Sequence, residues 1–158
     1  MTADLSAPDT DLMVVSIHPR HVATILSGEK TVELRRTRPH VAAGQPIAIY
    51  STSPESALVA VGSVDRVQVS TPSALRTPSL LLDARVSERE YDAYFTGTDR
   101  AVAVHLRDVA PLQNRVTLSH LRSRRRYTPP QTWHFFDAAG LRALLGDHAA
   151  HDELVAWI

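Results

Sequence analysis

One lysine stands against sixteen arginines in this chain: Lys30, with Glu33 three residues on and Arg35 two beyond that. A lysine ammonium is compact and its proton affinity shifts when it is buried, whereas a guanidinium stays charged and offers a rigid planar fork. Beside a carboxylate in a water-poor site, such a lysine can exchange a proton near neutral pH, which is the requirement for general acid–base work. Arginine-rich composition also follows from GC-rich coding DNA, so the lysine's isolation assigns no role until its neighbours are considered. Lys30 and Glu33 are the candidate catalytic pair. They serve either as a reactive pair or as a structural ion pair that Arg35 can join.

Two further constellations carry chemistry. Tyr50, Ser51 and Thr52 end a β-prone run, where a ring can stack on a base and hydroxyls can reach phosphate or base edges; barrel filling and turn formation are the alternative uses. Arg122, Arg124, Arg125 and Arg126 stand next to Tyr127, a grouping suited to phosphate contacts plus one stacking platform, or else to a solvated basic loop. Arg36 extends the earlier basic cluster, and Pro129 and Pro130 stiffen the chain before Gln131, aiming it toward a cleft. Trp133 reads as core. The carboxylates Asp83, Glu88 and Glu90 are alternative partners for Lys30.

The remaining composition narrows the function classes. With no cysteine among 158 residues, thiol catalysis, disulfides and cysteine-based zinc sites are excluded. His18 with His21, and His148 with His151, lack the spacing and third ligand of a metal site, so no metal and no cofactor is expected. There is no GxSxG, phosphate-cradling glycine loop or dinucleotide fingerprint. Formal net charge is zero, which argues against a polycationic coat. No run approaches the ~20 apolar residues of a membrane span, and residues 1–11 lack a signal-peptide pattern, so a cytoplasmic location without membrane partners is the expectation.

Short elements must position these residues. Leu12 to Ile17 reads as a strand, and His18-Pro19 ends it and starts a helix with Val22, Ile25 and Leu26 on one face. Gly28 suits a left-handed helix end. Thr31 to Arg35 then alternates, Val32 and Leu34 against Glu33 and Arg35. If that strand begins at Lys30, strict alternation puts Lys30 with Val32 and Leu34, and a turn is needed to aim it elsewhere. Ile47 to Thr52, Ala57 to Val69 and Ala101 to Val109 follow as strands, with Gly62 suited to a bulge. Helical segments lie around Pro72 to Leu82 and after Ser87, a capping-box start with Glu90. Asp137 caps a last helical region bearing Leu141, Leu144 and Leu145. The pattern predicts an α+β fold, a small, partly closed mixed β-barrel flanked by short helices.

SIHP (Ser16 to Pro19), GEKTVELRR (Gly28 to Arg36), AGQPIAIYSTSP (Ala43 to Pro54) and PPQTW (Pro129 to Trp133) together resemble the ASCH domain, whose fold is similar to the RNA-binding PUA domain. The resemblance implies a PUA-like pseudo-barrel with a cleft at the start of the GEKTVELR strand. It further implies RNA binding or control of translation or transcription, or, as in some small relatives, hydrolysis of acylated cytidines. Those hydrolases use the lysine with a threonine three positions later and a separate glutamate. Here Lys30 matches the lysine, while Glu33 occupies the threonine position and Thr31 points to the other side.

The combined expectation is a tail over residues 1–11, an ASCH domain over 12–136 and a helical extension over 137–158 packed on it. Its cleft binds RNA or a nucleotide-like small molecule through Ser16, His18, Lys30, Glu33, Arg35 and Tyr50, with the late arginines holding backbone. An amidohydrolase or RNA-cleaving enzyme is the alternative. The oligomeric state is not legible in the sequence.

Overall fold

The computed structural model describes residues 11–158; of the expected N-terminal tail, residues 1–10 lie outside the described residues. Six strands form one sheet: β1 (Leu12–Ile17), β2 (Val32–Arg35), β3 (Pro46–Ser51), β4 (Ala57–Ser70), β5 (Ala101–Thr117) and β6 (Trp133–Phe136), in the order β2-β5-β4-β3-β1-β6. β1 and β3 run parallel and the other neighbours antiparallel.

The run LMVVSI is apolar throughout because both faces of β1 are covered. Met13, Val15 and Ile17 face inward with Ile47, Ile49 and Val59 and with Val22 and Ile25 of α1 (Pro19–Leu26). Leu12 and Val14 face outward, against Leu121 of α5 (Leu118–Arg124), Leu141, Leu144 and Leu145 of α6 (Ala138–Leu145) and Leu154 of α7 (Ala150–Val155). The outer face of β2 buries Val32 and Leu34 under α2 (Pro72–Leu75), α3 (Pro78–Ala84) and α4 (Glu88–Tyr94). Glu33 and Arg35 are left on the inner face.

β2 and β6 form the two edges and do not pair, so the sheet is open. It is nevertheless curled: Met13 and Ile17 of β1, Arg35 of β2 and Trp133 of β6 border one narrow internal space. Arg35 Nη2 donates to the Ser16 carbonyl at 2.8 Å, tying β2 across the gap to β1. Gly62 sits at a register shift of β4, and a Cβ there would meet Val109 Cγ2 at 2.7 Å; the close approach of β5 explains the glycine.

Several boundaries differ from the sequence expectation, and β6 is a strand that the sequence pattern does not announce. β5 runs on to Thr117, paired with β4, and its second half is largely exposed, so no apolar signature marks it in the sequence. The region from Pro72 splits into α2 and α3, each started by a threonine cap and a proline. The basic segment after Thr117 opens as helix α5, with Thr117 accepting from the His120 N–H and Leu121 buried. Among the described residues, no helix is long and apolar enough to cross a membrane.

Candidate functional site

At the end of β1 the chain turns into α1 with His18 as N-cap, its Nδ1 accepting from the Arg20 N–H, and Pro19 in the first helical turn. This start projects His18, Arg20 and His21 from one short stretch onto a cavity of about 430 Å³. Gly28, at φ 82°, closes α1, and the Lys30 N–H then donates to the Thr24 carbonyl at 2.9 Å. Lys30 therefore belongs to a turn before β2, and its side chain lines the cavity together with Glu33, Leu34 and Arg35. The opposite wall comes from α4, with Glu90, Tyr91 and Tyr94. The volume lies in the range of small-molecule sites.

Lys30 is 3% exposed. Its Nζ donates to the Ala84 carbonyl at 2.6 Å and lies 3.7 Å from Glu33 Oε2. Ala84 is the last residue of α3, so the ammonium meets a carbonyl at the negative end of that helix. Burial nevertheless holds the Lys30 pKa below its ordinary value, with Glu33 opposing the shift. Burial and then the Lys30 charge also hold His21 below 6.5, so His21 is chiefly neutral at pH 7. Burial pushes the Tyr94 phenol up, and its hydroxyl donates to the Leu34 carbonyl at 3.2 Å.

Arg35 lies 3.6 Å from Glu33 Oε1, so Glu33 stands between two cations. Even so, the buried Glu33 Oε2 and Ser16 Oγ have no hydrogen-bond partner among the described residues. Buried polar atoms are ordinarily satisfied, and two orphans on one cavity mark a place where a polar ligand group fits.

The cavity thus gathers Ser16, His18, Lys30, Glu33 and Arg35 from the residues expected at a cleft, together with Glu90. The others lie elsewhere. Tyr50 is 3% exposed and Tyr127 is 6% exposed, both inside the outer apolar cluster, which corrects the expectation of open stacking rings. A phenol ring covers apolar area well, and burial lifts the Tyr127 pKa to about 12. Ser51 is fully buried and Thr52 follows the end of β3; neither lines the cavity. Arg36 donates to the Thr96 carbonyl at 3.3 Å, and Arg122 to the Tyr127 carbonyl at 3.2 Å. Arg122, Arg124, Arg125, Arg126 and Gln131 are exposed and off the cavity. Asp83 and Glu88 border other surface pockets.

Arg20, His21, Tyr91 and Tyr94 were not among the expected contacts. One signal was present: His18 and His21 share a helix face at i, i+3, as Glu90 and Tyr94 do at i, i+4. Among the described residues, no three His, Cys, Asp or Glu side chains converge as metal ligands do.

No family model matches the chain. A protein of Zymomonas mobilis named ASCH domain-containing ribonuclease is 34% identical over 129 residues, spanning 80% of this chain and 86% of that protein. The crystal structure of ASCH from Zymomonas mobilis superposes with a TM-score of 0.76 at 30% identity, covering 88% of this chain and 96% of that one. The N-terminal domain of Staphylothermus marinus McrB superposes with a TM-score of 0.52 at 12% identity, covering 84% and 92%, a likeness of fold alone. The α+β, PUA-like fold expected from the sequence is the fold observed.

Proposed function

This chain belongs to the ASCH domain family, and from that premise we propose that it binds RNA at the Lys30 cavity and cleaves the phosphodiester backbone there. The observation that carries the reading is the meeting of neutral His21, buried Lys30 and Glu33 in one cavity with Arg20 and Arg35. The name of the Zymomonas mobilis relative, a ribonuclease, supports the choice of substrate.

In this mechanism His21 takes the proton of a ribose 2′-hydroxyl, the 2′-oxygen attacks phosphorus, and the bond from phosphorus to the 5′-oxygen breaks. Lys30 gives a proton to that leaving oxygen. The products are a 2′,3′-cyclic phosphate and a free 5′-hydroxyl; exchange with water then reprotonates Lys30 and deprotonates His21. A lowered lysine pKa suits this role, because an acid works best when its pKa lies near the working pH. Glu33 positions the ammonium, and the guanidinium groups offset the charge that develops on phosphorus-bound oxygens.

The Ser16 N–H donates to the Thr132 carbonyl at 3.4 Å, so the segment that follows Arg126 returns beside the cavity. We assign Arg122, Arg124, Arg125 and Arg126 to backbone phosphates along that route, where each contact contributes to a salt-dependent affinity.

The orphan Ser16 hydroxyl favours a second reading, hydrolysis of acylated cytidines, because it offers a nucleophile that position 33 does not. Incubating the protein and Lys30→Met with RNA, with 2′-O-methyl RNA and with an acylated cytidine separates the two. The proposal expects cleavage of RNA alone, lost in the variant. Deacylation without RNA cleavage would replace it with the second reading.

A further inference from the structure

Arg20 extends from α1 and Glu90 from α4, and their side chains meet at 2.6 Å at the cavity, 61% and 43% exposed respectively. The same Arg20 nitrogen lies 3.3 Å from His21 Nε2. A guanidinium can only donate, so Nε2 accepts, and the neutral ring carries its proton on Nδ1. The lone pair that would serve as a base is therefore already engaged.

The other cations of the cavity are committed to the fold. Lys30 is held by the Ala84 carbonyl and Glu33, and Arg35 by the Ser16 carbonyl and Glu33, all in buried or part-buried surroundings. Arg20 alone is held by a solvent-exposed carboxylate, and exposed pairs of this kind are weak and exchange readily for another anion. A phosphate diester is such an anion, and it accepts the same planar fork.

We propose that Arg20 is a latch: Glu90 holds it over His21 in the free protein, and a backbone phosphate entering the cavity takes it from Glu90 and frees His21 Nε2. This rests on the reading that the cavity receives RNA. Glu90 acts here as a positioning residue that weakens binding of any anion and exposes the base only when a phosphate is in place.

The test is a double-mutant cycle with Glu90→Gln, Arg20→Ala and the combined variant. Binding is measured with a 2′-O-methyl oligoribonucleotide, which cannot react, and with inorganic pyrophosphate. Glu90→Gln should tighten both by about three- to fivefold, and the gain should vanish when Arg20 is alanine, since the released partner is then missing. Equal tightening in both backgrounds would mean that Glu90 only repels anions through space, and the latch would fall while RNA binding stood. Pyrophosphate binding with the expected coupling, but no oligonucleotide binding, would keep the latch and remove the RNA reading. No binding of either anion by any form removes both. Circular dichroism spectra matching the parent establish that each variant is folded.

Discussion

Lys30 Nζ donates to the carbonyl of Ala84 at 2.6 Å, so the chain's sole lysine caps the C-terminal end of α3 while it also faces the cavity. The two uses are compatible because an ammonium has three donors in one compact head. The bond to Ala84 fixes where the head sits. Glu33, 3.7 Å away, partly offsets the cost of burying it.

That position gives stability a particular pH dependence. The folded-state pKa of Lys30 lies below its unfolded value of 10.5, so the folded protein binds fewer protons between those two values. Stability therefore rises with pH across that window, and the burial penalty is greatest below it. Denaturant titrations carried up to pH 10.5 should show the parent gaining on Lys30→Met as pH rises through the folded-state pKa. A constant difference would mean that the ammonium is not desolvated.

His21 should titrate below 6.5, and Lys30→Met should raise its pKa, because the nearby positive charge that disfavours the imidazolium is then gone. NMR titration of the imidazole in the two proteins reads this directly. A fall in the variant, or no movement, would separate His21 electrically from Lys30.

Much of the β1 to β2 region is legible in the sequence because its signals are local: a proline after His18, a helical apolar triplet, and Gly28 where a positive φ is needed. Lys30 and Glu33 are near neighbours in the chain, and one turn brings them together. Arg20 and His21 had to meet Glu90 and Tyr94 across the fold, and no local pattern encodes that approach. Tyr50 misleads for another reason. Alternation along β3 separates two faces, but both are buried, so a polar tip on one of them does not mark a surface. Tyr127 misleads similarly, since the exposed arginines before it hide a ring turned into the core.

The guanidinium of Arg35 substitutes for a missing strand pair, joining β2 to the Ser16 carbonyl. Arg35→Ala should destabilise the protein by about 1–3 kcal/mol, the range for a buried acceptor that loses a charged donor. Hydrogen exchange should quicken at β2 first, because this edge strand is then held by β5 alone. Uniform quickening over the whole sheet would contradict a local tie.

The buried Tyr127 hydroxyl lacks a partner among the described residues. Tyr127→Phe keeps the ring and removes that hydroxyl, so it should raise stability by up to about 1 kcal/mol. In the parent, ultraviolet titration should place this phenol near pH 12. Ionisation near pH 10 would mean that water reaches the ring.

The most direct test of the central claim is single-turnover cleavage of a fluorescent single-stranded RNA by the parent, Lys30→Met and His21→Ala, with products resolved by their ends. The account predicts 2′,3′-cyclic phosphate products from the parent, an acid limb of the rate below pH 6.5 that depends on His21, and a loss of about a hundredfold or more in either variant. Full cleavage by Lys30→Met would contradict it.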